Sequence, residues 1–130
     1  MDIEHIYEIT GIPAHSNYSV NKIKWLQENN SNAREGCKWL CLAEFIAFKL
    51  SGVKRSEYSL ASRTMALNIA EMDWDEQLIH AAELSPSLFS PLVQAGVAIG
   101  TVTSDVSERT GLTMDTRVAP YSDAWAGFRG

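Results

Sequence analysis

Cysteine is scarce in these 130 residues, with two in all, Cys37 and Cys41. They stand four apart in CKWLC, which is neither the Cys-x-x-Cys spacing of a redox centre nor half of a zinc pattern. Both thiols are therefore expected to sit buried or half-buried as small apolar groups. Positive charge is also limited. Eleven Lys and Arg stand against sixteen Asp and Glu, a formal net charge of -5, and no basic stripe is present to replace counterions along a phosphate backbone, which argues against a nucleic-acid partner. Long hydrophobic runs are missing too. The longest apolar stretch, Trp39 to Leu50, is broken by Glu44 and Lys49 and falls well short of the ~20 residues that span a bilayer. The opening Met-Asp-Ile-Glu-His has neither the basic region nor the apolar core of a signal peptide, so a cytoplasmic location is the expectation. No Gly-x-Ser-x-Gly elbow and no Gly-Lys-Ser/Thr phosphate loop occurs, which removes two nucleophile and nucleotide motifs.

What is present suits a globular fold. Apolar residues make up 45% and charged residues 21% of the chain, the balance of one ordinary domain with a modest core. Thr10-Gly11, Ser51-Gly52 and Thr110-Gly111 each close a segment of helical apolar spacing, where glycine permits a left-handed cap. Val20, Ile23, Leu26 and Trp25 give one predicted apolar helix face, and Leu42, Phe45, Ile46 and Leu50 another. Both faces are assigned to the core, and Trp25, Trp39 and Trp74 are read as its anchors. Residues 28–36, ENNSNAREG, read as an exposed connection. Met65, Leu67 and Ile69 alternate as in a half-buried strand, and Asp73 three before Glu76 marks a helix start. Pro86 and Pro91 follow serines and can begin short helical turns. Val97 to Val102 and Arg117 to Tyr121 read as strands, with a short helix capped at Thr103 or Ser104 between them and reaching Thr110. The sum is a mixed α/β pattern.

Four segments carry a resemblance. YSLASRTMALNIAEMDWD from Tyr58 to Asp75, IYEITGIPAHSNYSVNKIKWLQEN from Ile6 to Asn29, WLCLAEFIAFKLSG from Trp39 to Gly52 and GVAIGTVTSDVSERTGL from Gly96 to Leu112 resemble, in the same order, stretches of the FGGY-type carbohydrate kinases. That family includes glycerol, xylulose and gluconate kinases. In it, an Asp-Tyr-Ser/Thr-x-Ala-Ser-x-Thr run precedes a strand and a Trp-Asp. The resemblance implies part of a ribonuclease H-like, actin-like ATPase domain, with helices packed on a mixed sheet, incomplete in this chain. Residues 1–130 would then be the later portion of the N-terminal, sugar-binding domain, with the ATP-binding second domain outside it.

The same resemblance supplies the chemistry. An aspartate in the family's Ala-Gly-Gly-His-Asp-type segment is the general base for the sugar hydroxyl that attacks the γ-phosphate of ATP. Here the segment reads Ala119-Pro120-Tyr121-Ser122-Asp123, with Gly127 at the later glycine. Asp123 is thus the catalytic and substrate-binding candidate, while Pro120, Tyr121 and Ser122 depart from the family pattern. ATP and Mg2+ are implied as the cofactors, held mainly by parts of a longer parent, and a small carbohydrate or polyol is the implied substrate. A homodimeric parent is compatible with this. The wording of residues 10–26 leans toward gluconate- or xylulose-like acceptors.

Tyr18 is a second substrate-contact candidate, because the aromatic position of the glycerol-kinase branch falls on Asn17, with Tyr18 beside it. The plainer reading is a loop aromatic with a solvated hydroxyl. His5, His15 and His80 are too scattered to form a metal set, and no metal ligands are assigned. Ser59, Ser62 and Thr64 read as hydroxyls bonded to backbone at a strand entrance. A different class of function, a non-catalytic sugar-binding or subunit-interaction module, is the alternative that the altered residues 120–122 raise.

Overall fold

The computed structural model describes residues 2–30 and 37–122. Backbone contacts divide the chain into two compact units: Met1–Trp39 with Ala61–Phe89, and Leu40–Leu60 with Ser90–Gly130.

The first unit opens with helix α1, Ile3–Thr10, which ends on Gly11 at φ +68°. Glycine is required there twice over. The left-handed backbone disfavours a side chain, and a Cβ would come within 2.9 Å of Ile69 Cδ1. Ile69 also donates its N–H to Ile9 O at 3.0 Å, so the helix end is tied to the strand that follows the Ser-rich run. Helix α2, Ser19–Asn29, buries only Val20 and Ile23. Trp25 is 62% exposed and Leu26 lies at the surface, so the expected four-residue face narrows to two positions, and Trp25 is not a core anchor. The physical reason is the helix's polar content: Asn21, Lys22 and Lys24 leave one narrow stripe to face inward.

Strand β2, Leu67–Asn68, pairs antiparallel with β3, Asp73–Trp74. The alternation from Met65 to Ile69 yields just two strand residues, because Met65 adopts φ +66° and interrupts the extended backbone. Asn68 Oδ1 accepts the N–H groups of Ala70 and Glu71, closing the hairpin loop by side chain. Asp75, not Asp73, caps helix α5, Glu76–Ala81; its Oδ1 accepts Leu78 N–H at 2.9 Å. Asp73 is committed to β3, so the cap falls two residues later than the spacing predicted. A 3₁₀ turn at Pro86–Leu88 follows, capped by Ser85. The core of this unit is Val20, Ile23, Ala66, Ile79, Leu84, Leu88 and Phe89, with Trp39 and Trp74 packed against it. The Trp74 and Phe89 rings meet at a tilt of 42° with centroids 4.7 Å apart.

The second unit contains helix α3, Leu42–Ser51, strand β1, Ser56–Glu57, strand β4, Leu92–Val93, strand β5, Gly100–Thr101, helix α6, Ser104–Thr110, and strand β6, Arg117–Val118. The short helix α4, Tyr58–Ala61, begins here. β1 pairs parallel with β4, and β5 antiparallel with β6. Parallel and antiparallel pairings are thus both present, in separate two-stranded ladders instead of one sheet. The strands predicted at 97–102 and 117–121 are shorter than expected. Val97 is spent on a turn, donating its N–H to Gln94 O, Thr103 donates to Leu50 O, and Pro120 has no N–H to offer. Pairing does extend one step beyond the ladder on each side, through Ile99 N–H to Val118 O at 2.8 Å and Val102 N–H to Thr116 O at 3.0 Å.

Helix α3 keeps Leu50 of its predicted face against the core and turns the rest of that face away. Leu42 is 76% exposed, and Phe45 and Ile46 are about half exposed, whereas Glu44 and Ala47 are buried. The cause is the Glu44 carboxylate. Its Oε2 accepts the N–H of Cys41, the residue preceding the helix, at 2.7 Å, and its Oε1 accepts the N–H of Glu57 at 2.8 Å. Those bonds fix the face carrying Glu44 inward, and the small Ala47 beneath it packs with Val102 and Val118. Cys41 is half-buried at the cap, while Cys37 is exposed, contrary to the buried thiol expected.

Burial in this apolar surrounding pushes the Glu44 carboxyl above the ordinary glutamate range; the bonds from Cys41 and Glu57 oppose the shift, and the neighbouring Glu57 charge adds to it. The folded protein therefore binds a proton at Glu44 at a pH where the unfolded chain has released it. Stability from this group is fully present below the unfolded value and is lost as pH rises through the raised folded value. Between about pH 8 and pH 5 the wild type should gain melting temperature relative to Glu44→Gln, whose side chain does not titrate; a difference constant with pH would contradict this. In urea denaturation Ile79→Ala should cost about 2–5 kcal/mol, and Leu42→Gln should stay within about 0.5 kcal/mol. Equal losses would show that α3 buries the apolar face after all.

Candidate functional site

The second unit carries the segment that leads to Asp123. After β6 the chain passes through exposed Ala119 to Pro120, which is fully buried, then half-buried Tyr121 and Ser122 at 9% exposure. The Pro120 carbonyl accepts the Gly96 N–H at 3.4 Å. Proline at a position where the family has glycine loses a donor, but this backbone uses residue 120 as an acceptor and packs its ring inside. Asp123 itself, with Trp125 and Gly127, lies outside the described residues.

Tyr18 belongs to the first unit. It is half-buried and occupies the N-cap position of α2, with φ -76° and ψ 156°. The Arg63 guanidinium lies over its ring, 5.5 Å from the centroid, and the His15 imidazole meets it edge-on at 6.5 Å. His15 is held in turn: its Nδ1 accepts Asn17 N–H at 3.1 Å, and its carbonyl accepts Asn21 Nδ2 at 3.0 Å. This is a loop aromatic clasped by a cation.

The hydroxyl-rich run shows how local sequence shapes backbone. Thr64 is buried; its hydroxyl donates to Ala61 O at 2.6 Å and accepts Ala66 N–H at 3.1 Å, and its carbonyl accepts Val20 N–H. That is the backbone role expected of it. Ser59 differs, donating its N–H and its hydroxyl to the Glu57 carboxylate.

Sequence reasoning missed the pair of buried carboxylates, Glu44 at 2% and Glu57 at 1% exposure. Two signals for them existed. Cys41-Leu42-Ala43-Glu44 has capping-box spacing with a cysteine in place of Ser or Thr, and Glu57 stands at the aspartate of the Asp-Tyr-Ser run. Each carboxylate oxygen accepts a donor inside the fold, from Cys41 and Glu57 N–H at Glu44 and from the Ser59 N–H and hydroxyl at Glu57, so both acids hold neighbouring groups in place.

Among the described residues no group of three or more His, Cys, Asp or Glu side chains could hold a metal ion. His5 faces Glu8 at 3.6 Å on the surface of α1. No helix of the described residues is long and apolar enough to cross a membrane.

Comparison with known proteins follows the order of these elements. Residues 1–124 match the sequence profile described as the FGGY family of carbohydrate kinases, N-terminal domain. The chain is 29% identical over 118 residues to the putative sugar kinase YoaC of Bacillus subtilis, covering 90% of this chain and 24% of that protein. It is 25% identical over 116 residues to the xylulose kinase of the same organism, covering 88% and 23%. It thus spans about a quarter of the length of these curated relatives. Among solved structures, the gluconate kinase of Lactobacillus acidophilus superposes with a TM-score of 0.81 at 23% identity, over 92% of this chain and 25% of that one. The α/β fold is accordingly of the ribonuclease H-like, actin-like class, with its strands in short ladders. With the profile running from the first helix through the segment that follows β6, the chain belongs to the FGGY family of carbohydrate kinases, matched by that family's N-terminal domain.

Proposed function

We propose that the protein carrying this chain is an ATP-dependent sugar or polyol kinase in which Asp123 is the general base. The chain would be the later part of its sugar-binding domain, inactive by itself and cytoplasmic in the parent. The observation that carries this reading is the family match, which extends through residue 124 and so includes Asp123. The anchoring of residues 120–122, immediately before it, supports the same reading.

The chemistry needs little from the protein beyond position and charge. Phosphoryl transfer passes through a loose transition state, and a carboxylate within hydrogen-bond reach accepts the proton as the acceptor hydroxyl attacks. The O–H bond of the sugar breaks, its proton goes to the Asp123 carboxylate, a new O–P bond forms at the γ-phosphorus, and ADP leaves. ATP is the donor substrate. Mg2+ would accompany the ATP, held mainly by parts of the parent outside this chain and by the phosphates themselves, and no step is assigned to the metal here. A gluconate- or xylulose-like acceptor is favoured by the wording of residues 10–26.

The test uses the protein at its full natural length, assayed with ATP against gluconate, xylulose, glycerol and fuculose. At least one should be phosphorylated, and Asp123→Asn should lower kcat by roughly 10²–10⁴-fold, the usual range for a lost acid–base group. Unchanged turnover in the variant would remove Asp123 from the mechanism.

A further inference from the structure

We infer that Gly96 is a positioning residue for the catalytic segment, acting through Pro120 and Tyr121; this rests on the assignment of Asp123 as base. Gly96 follows β4 at the third position of the four-residue turn Gln94–Val97, closed by Val97 N–H to Gln94 O at 3.2 Å, and its φ is +76°. That conformation suits glycine and strains an L side chain. From this turn Gly96 makes two contacts with the segment before Asp123. Its N–H donates to Pro120 O, and its open face lies against the Tyr121 ring, where a Cβ would stand 3.5 Å from Cε2 and 3.8 Å from Cδ2.

The turn is itself fixed. β4 is paired with β1 through Ser56↔Leu92 and Glu57↔Val93, and the Glu57 N–H is held by Glu44. A continuous set of bonds therefore runs from the cap of α3 to the carbonyl three residues before Asp123. Any substitution that moves the Gly96 backbone out of its left-handed conformation withdraws the N–H from Pro120 and shifts the surface on which Tyr121 rests. Residues 120–122, which lead directly to Asp123 in the sequence, would shift without loss of the fold, and small misplacements beside a reacting group are expensive in rate.

The protein provides its own control. Gly111, the cap of α6, has the same φ of +76°, and nothing lies within 4 Å of a Cβ built there. Gly96→Ala and Gly111→Ala introduce the same backbone strain, but only the first touches the segment leading to Asp123.

The experiment measures kcat and KM for the best acceptor sugar, together with melting temperature, in the full-length protein. Gly96→Ala should lower kcat roughly tenfold or more, with KM for the sugar changed less than about twofold, since the readout is alignment of the base and not uniform binding. Gly111→Ala should lower melting temperature comparably and leave kcat near wild type. Gly96→Asn, which tolerates the left-handed region, should restore most of the kcat lost in Gly96→Ala. Tyr121→Phe keeps the ring and should retain kcat, while Tyr121→Ala should lower it, and these two decide the matter if Gly96→Ala does not fold. Equal kcat in Gly96→Ala and Gly111→Ala, or no difference between Tyr121→Phe and Tyr121→Ala, would overturn the inference while Asp123→Asn still lowered kcat by roughly 10²–10⁴-fold. Full turnover in Asp123→Asn would overturn both the base assignment and this role.

Discussion

A buried carboxylate organises the second unit. Glu44 binds the N–H that precedes α3 and the N–H of Glu57 in β1, and so joins the start of a helix to the edge of a strand that would otherwise hold a buried, unpaired donor. Leaving such a group unsatisfied is far more costly than the modest net gain of an ordinary hydrogen bond. The arrangement explains why an acid occupies the inward face of an otherwise apolar helix, why its carboxyl is raised by burial, and why leucine, phenylalanine and isoleucine on the same helix turn outward. From β1 the constraint passes along backbone pairing to β4 and the turn at Gly96, and from there to Pro120.

Much of the fold could be read from residues alone where a local rule has few competitors. Gly11, Gly52 and Gly111 all close helices in the left-handed conformation, because few alternatives to glycine exist there. Thr103 caps α6, its hydroxyl accepting Val106 N–H, and Ser85 with Pro86 starts a 3₁₀ turn, as the turn chemistry required. Failures came where a tertiary interaction overrode a periodic pattern. The spacing of Leu42, Phe45, Ile46 and Leu50 describes a helix correctly, but spacing cannot say which stripe faces inward when a polar residue has partners waiting inside. Asp73 and Asp75 are both good caps, and strand pairing of Asp73 with Asn68 decided between them.

The candidate site was legible in a different way. Neither charge, periodicity nor spacing distinguishes Asp123 from any aspartate that follows a strand; only its place at the end of four family-like segments does. What the fold adds is the state of the neighbours. Pro120, which by itself argues against a glycine-like turn, is buried and used as an acceptor, so the departure from the family pattern has a structural accommodation. Tyr18 shows the reverse. Sequence placed it only beside the aromatic position of the glycerol-kinase branch, and the fold adds the Arg63 guanidinium over its ring.

The central claim is that a carboxylate held at the end of this anchored segment takes the proton from a sugar hydroxyl. The most direct measurement is a crystal structure of the full-length protein with its acceptor sugar bound. One Asp123 carboxylate oxygen should lie about 2.6–3.2 Å from a single sugar hydroxyl, with that hydroxyl facing the phosphoryl donor. An Asp123 side chain directed to solvent, with no sugar oxygen in reach, would contradict the account.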